Sequence, residues 1–240
     1  MKRFLPLALI ALSATANPML PYRADYQVWR GDSELGEGYY QLETLGNQQF
    51  KLSYQSDVGW LFLSDTRTET SSLRFSGEQV LPSIYRMERT GSGPDFTAEI
   101  RFLPKQPIHS RYKGDKVTIE PSAAQFDPLS YQLQLRLDVA QGETEMLYPI
   151  VYKNQAREYR YKVVGEERLS LPFGELDTIK VARDRGENSK RETYLWLARD
   201  HNFVLARLIQ YKEGDVQAEL KLEKLTWLAP PSQTPPAPHP

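Results

Sequence analysis

Val216-Gln217-Ala218-Glu219-Leu220-Lys221-Leu222-Glu223 places an apolar residue at every second position and a polar one between. Successive side chains of extended backbone point to opposite faces, so this run presents one apolar face and one wet face. Phe96-Thr97-Ala98-Glu99-Ile100-Arg101-Phe102 repeats the pattern, and so does Phe50-Lys51-Leu52-Ser53-Tyr54. A parallel sheet covered on both sides would read as unbroken apolar runs, so these stretches predict antiparallel sheet. Turn signals separate them: Gly31-Asp32-Ser33, Gly46-Asn47, Ser76-Gly77, Thr90-Gly91-Ser92-Gly93-Pro94, Lys113-Gly114-Asp115, Arg185-Gly186-Glu187-Asn188 and Glu213-Gly214-Asp215. Their spacing predicts about a dozen strands joined largely as hairpins. The 14 Tyr, 9 Phe and 4 Trp suit half-buried pleated positions.

One segment breaks the pattern. Asp127-Pro128 precedes Leu129 to Ala140, and Gly142 lies just beyond. Asp before Pro at the start and Gly past the end are the punctuation of a helix. Leu129, Tyr131, Leu133, Leu135, Leu137 and Val139 nevertheless alternate strictly, as a strand would. The end signals favour the helix. Such a helix is apolar on two sides, because residues 100° apart spread around its axis, and it belongs between a sheet and a second wall. The fold class expected is mainly β: one large curved antiparallel sheet or half-barrel with one helix packed on its concave face.

The chain has 240 residues, of which 40% are hydrophobic and 25% charged, enough for one sizeable core. Thirty Lys and Arg against 31 Asp and Glu leave a net charge of −1, so no basic footprint for nucleic acid exists. A mean hydropathy of −0.56 speaks against many membrane-spanning helices. The absence of cysteine removes thiol nucleophiles, Cys-ligated metals and disulfides together. With three His, one of them in a Pro-rich tail, neither a metal site nor a cofactor is expected.

The first sixteen residues have the grammar of an export signal. Lys2 and Arg3 form a positive start, Phe4 to Leu12 a short apolar run, and Ala14-Thr15-Ala16 the small-x-small pattern of a cleavage site. The run is too short to span a bilayer. Cleavage after Ala16 is expected, giving a periplasmic chain that begins at Asn17. Residues 229–240 hold six prolines and read as a disordered tail. Residues 17–228 are then a single β-rich domain.

Known catalytic signatures are missing. There is no Gly-x-Ser-x-Gly elbow and no phosphate-binding Gly-x-x-x-x-Gly-Lys loop. Gly31-x4-Gly36-x-Gly38 lacks the Lys and reads as a hairpin. Asp200-His201 are neighbours in a turn, with His109 a distant companion, and Glu166-Glu167 are adjacent rather than convergent. Arg183, Arg185, Lys190 and Arg191 flank a tight turn and read as a solvated hairpin tip, with anionic headgroups as the functional alternative. Gly59-Trp60-Leu61-Phe62-Leu63 reads as a short strand buried on both faces or as the apolar lip of a cavity.

A resemblance follows from the C-terminal half. Leu171-Pro172-Phe173-Gly174-Glu175-Leu176-Asp177-Thr178-Ile179-Lys180-Val181 precedes a polar turn, then Arg191-Glu192-Thr193-Tyr194-Leu195-Trp196-Leu197-Ala198 and Phe203-Val204-Leu205-Ala206-Arg207-Leu208. With the Tyr-rich stretch from Tyr22 to Gly38 and the Asp127-Pro128-Leu129-Ser130 helix start, this resembles domain-of-unknown-function family 3108, a family of exported bacterial proteins. The strand pattern is also similar to the half-barrels that carry lipoproteins across the periplasm, in which a curved sheet wraps a helix around an apolar cavity. The first resemblance implies export and brings no catalytic residues. The second concerns architecture alone.

Three functions remain open. The leading one is a non-catalytic periplasmic protein that binds or carries an apolar, lipid-like ligand. Tyr131, Leu135 and Val139 are expected on one wall of its cavity, and Trp60 and Phe62 near the mouth. The second is an envelope assembly or scaffolding protein acting through contacts with another envelope protein, and the third a hydrolase or transferase. A carrier needs a cavity of several hundred Å³ and edge pairing does not, while an enzyme gathers ionisable groups in one cleft.

Overall fold

Tyr22, Ala24, Tyr26 and Val28 are buried and the residues between them half-buried, the alternation that a pleated backbone imposes. The computed structural model describes residues 20–60, 63–123 and 125–228. The first half of the chain forms β1 (Tyr22–Arg30), β2 (Ser33–Gly46), β3 (Gln49–Trp60), β4 (Leu63–Ser76), β5 (Gln79–Gly91), β6 (Phe96–Arg101), β7 (Ile108–Tyr112) and β8 (Asp115–Ile119). The helix α1 (Ser130–Ala140) follows. The second half forms β9 (Glu145–Tyr152), β10 (Gln155–Leu171), β11 (Gly174–Asp184), β12 (Arg191–Ala198), β13 (Val204–Lys212) and β14 (Asp215–Trp227). Each expected turn falls between two of these strands.

The strands make one antiparallel sheet in the order β8-β7-β6-β5-β4-β3-β2-β1-β14-β13-β12-β11-β10-β9. Two hairpin meanders therefore run in opposite directions and join at the middle, where β1 pairs β14 from Tyr22↔Trp227 to Trp29↔Glu219. The far ends of the sheet come back toward each other. Asn154, in the turn between β9 and β10, accepts from the Ser110 hydroxyl on β7 at 2.8 Å. Its amide donates to the Asp115 carbonyl at the start of β8 at 3.0 Å. Phe126 lies as a parallel bridge on Ile150, with its carbonyl accepting from Val151 N–H at 2.9 Å. The chain leading into α1 thus covers part of the β9 edge, which would otherwise present unpaired backbone groups.

Gly36 belongs to a hairpin rather than to a phosphate cradle. It has φ +150°, and a Cβ there would stand 2.2 Å from the Asp57 carbonyl oxygen of β3. Only glycine permits that approach.

The helix is real, and its start matches the sequence signals. The Asp127 carboxylate accepts from the N–H groups of Leu129 and Ser130 at 2.8 and 2.9 Å, and the Ser130 hydroxyl accepts from Asp127 N–H at 2.9 Å. This reciprocal cap satisfies donors that the first turn leaves unpaired. Beyond it, Leu133, Leu135, Leu137 and Val139 are buried, and so are Gln134 and Arg136 on the other sides of the axis. The helix contacts β5 and β9. Gln134 accepts from Val80 N–H at 2.8 Å and donates to the Glu78 carbonyl, while Asp138 accepts from the Tyr148 hydroxyl at 2.6 Å. These bonds hold α1 against β5 in one meander and β9 in the other.

Gly59-Trp60-Leu61-Phe62-Leu63 is not a strand buried on both faces. β3 ends at Trp60 and β4 begins at Leu63, the two paired across the hairpin, and Leu63 is 60% exposed. An apolar run suits a hairpin end as well as a buried strand, and periodicity cannot separate them. Phe62 and the side chain of Trp60 lie outside the described residues.

Candidate functional site

The interior between α1 and the concave face is where chemistry would have to occur. Its floor near β4 is acidic. Glu69 and Asp127 are both buried, and the Tyr85 hydroxyl donates to Glu69 at 2.6 Å. The Ser71 hydroxyl donates to Asp127 at 2.7 Å. Burial pushes both carboxyls above the usual carboxylate range, opposed at Glu69 by the Arg67 charge and at Asp127 by its cap bonds. Every polar partner of Asp127 is structural. A carboxyl whose folded pKa is raised contributes stability below its ordinary pKa and loses it as pH rises through the shifted one. Glu69→Gln should therefore melt higher relative to the parent at pH 8 than at pH 4. Paired thermal melts check it, and an equal difference at both pH values would contradict the buried charge.

The three expected helix residues meet different surroundings. Tyr131 packs among Tyr148, Tyr159 and Tyr161, with ring centroids 5.5 to 6.0 Å apart, and its hydroxyl lies 3.2 Å from that of Tyr161. Leu135 faces a cavity. Val139 is buried in the common core and does not line that cavity. The cavity lies between Leu133, Leu135 and Arg136 of the helix and Tyr22, Tyr40 and Leu52 of β1 to β3. Leu195, Leu197 and Leu205 of β12 and β13 close it from the other meander. Its volume is about 30 Å³, room for a water molecule or two and far below that of an acyl chain.

Arg136 is the residue that sequence reasoning passed over. It is 5% exposed, and its Nη2 donates to the Asn202 carbonyl at 3.0 Å. The signal was present: a lone cation between Leu135 and Leu137, in a helix expected to be apolar on two sides.

The remaining candidates resolve as structural. Glu166 pairs with Arg199, and Glu167 accepts from the Trp196 indole at 2.9 Å and pairs with Lys180 at 3.2 Å. Those partners hold both carboxyls below the usual range, the reverse of a poised catalytic acid. His109 is exposed on β7, and the His201 ring stands edge-on to Phe173. The Arg-rich tip is not simply solvated: the Arg183 guanidinium covers the Tyr159 ring at 3.3 Å, and Arg185 donates to Thr193. Among the described residues no three His, Asp or Glu converge as a metal site. A second, open hollow of about 410 Å³ lies at the hairpin ends around Arg89, Phe96 and Lys113, where Arg89 is already bound to Asp65.

A single antiparallel sheet curled around one buried helix defines the class: a β-barrel-like protein. The chain belongs to the family DUF3108, described as "Protein of unknown function", which matches residues 23–221. A beta-barrel-like protein of domain of unknown function DUF1849 from Brucella abortus shares the fold, with a TM-score of 0.58 and 11% identity over 88% of this chain and 98% of that one. Two weaker likenesses have TM-scores of 0.35. One is to a protein of Bacteroides fragilis described as exported with a YmcC-like fold, at 12% identity over 85% of this chain and 95% of that one. The other is to a protein of Parabacteroides distasonis described as a lipoprotein, at 14% identity over 86% and 95%. No curated protein matches the chain.

Proposed function

We propose that this chain is an exported, non-catalytic protein that binds an apolar molecule in the space α1 now fills. One observation carries the reading: the interior of the sheet is occupied by a helix apolar on two sides, with a cavity left beside it. Eleven residues of helix are about 16 Å long and 10 Å wide, so moving α1 outward opens a space the size of a small-molecule pocket. Tyr131, Leu135 and Val139 would then line it. The cavity of about 30 Å³ requires that movement for any ligand larger than water. The leader residues support export, with Asn17 first in the mature chain.

A second reading, envelope assembly, rests on β8. This edge strand is exposed and pairs only β7 among the described residues, a template for a strand from another protein. One experiment separates the two. The protein is purified from the periplasm, weighed by native mass spectrometry, extracted with solvent, and titrated with the fluorescent apolar probe N-phenylnaphthylamine. A co-purified small molecule, or probe binding that increases amide exchange in α1, supports the binder. Neither ligand nor probe binding would sink it and leave β8 as the working surface.

A further inference from the structure

Arg136 is a charge without a counter-charge. It sits in the middle of α1, and among the described residues no carboxylate pairs with it. Its Nε and Nη1 atoms are sealed from solvent and have no acceptor among the described residues. Apart from the Asn202 carbonyl, its compensation is the face of the Tyr22 ring, 4.7 Å from the guanidinium carbon. A buried cation with so few protein partners destabilises the fold, and an apolar side chain of similar volume would stabilise it. The cost falls where the cavity is, because Arg136 forms part of its wall. The rest of that wall is mostly leucine and tyrosine, with Gln132 as the other polar contributor.

Unmet donors on a guanidinium call for acceptors carrying negative charge, and its planar fork fits carboxylate and phosphate oxygens. The leucines around it call for hydrocarbon. We propose that the ligand is a single-chain amphiphilic anion whose head group is taken by Arg136 and whose chain runs along the face of α1. This rests on the apolar-binder reading and adds the charge of the ligand to it. Either fork of the guanidinium, Nε with Nη2 or Nη1 with Nη2, includes the atom now bonded to Asn202, so a head group held by two donors competes with that carbonyl. Arg136 therefore both holds the helix against the β12–β13 connection and recognises what displaces it.

The test uses the purified, solvent-stripped full chain and three twelve-carbon probes: dodecanoate, dodecyl phosphate and dodecanol. Each displaces N-phenylnaphthylamine, and the readout is the ratio of anion affinity to alcohol affinity. A charge-assisted contact in a dry site is expected to favour an anion by roughly tenfold to a hundredfold. The better of the two anions identifies the head group as carboxylate or phosphate. In Arg136→Gln the ratio should collapse to about one, while Arg136→Lys should keep part of it. Equal binding of alcohol and anions by the parent overturns the anionic ligand and leaves the apolar binder standing. Binding of none of the three overturns both. The parent ratio alone decides if a variant fails to give a cooperative melt.

Discussion

Asp127→Ala is expected to lower folding stability by about 3 kcal/mol, read as a fall in the urea midpoint with little change in slope. Three donors lose their acceptor together: the N–H groups of Leu129 and Ser130 and the hydroxyl of Ser71. Asp127 is completely buried, so water does not replace it, and unmet buried donors cost more than the bonds contributed. The cap also ties the helix to β4, so its loss should increase amide exchange in α1 more than in β1 and β14. Asp127→Asn keeps an acceptor and adds no buried charge, so it should cost less than half as much. A cost below about 0.5 kcal/mol for the alanine would mean that helix packing, not the cap, sets where α1 begins.

Leu135→Ala should have an effect of similar size for a different reason. Leu135 is 1% exposed and already borders a void, so truncation enlarges an existing cavity rather than opening one that neighbours can fill. Losses of about 3 kcal/mol are usual for such sites. Chemical melts measure it, and a small apolar solute should restore part of the loss, since an enlarged dry cavity takes up benzene or xenon. A fall of less than about 1 kcal/mol, with no response to benzene, would show that α1 shifts to close the gap.

The sheet was legible because alternation is a local property. Val216 to Leu222 and Phe96 to Phe102 declare their faces without reference to any partner, and Gly-Asp and Gly-Asn pairs declare their turns. The helix was legible at its ends, since Asp127, Pro128 and Gly142 outweigh the strand-like alternation between them. The partner of β1 was not legible, because a face does not say which strand lies beside it. The Gly59 to Leu63 run admits two readings for a related reason: its composition fits a strand buried on both faces and an apolar lip alike, and the hairpin removes only the first. Arg136 was missed because its meaning depends on Tyr22, Asn202 and Leu205, from elements far away in sequence.

The joint between β1 and β14 has a consequence for the order of assembly. Every other strand pair of the sheet joins neighbours in sequence and closes at little entropic cost. β1 instead waits for the last strand of the domain, and Leu228 N–H reaches the Pro21 carbonyl at 2.9 Å only when both ends have arrived. A chain emerging N-terminus first can build one meander, lay down α1 and build the other, but it cannot join them until its final strand is free. The long-range closure is then expected to be the slow step of folding. Linking residues 21 and 228 and opening the chain between β8 and α1 would make that joint a local hairpin and speed its formation.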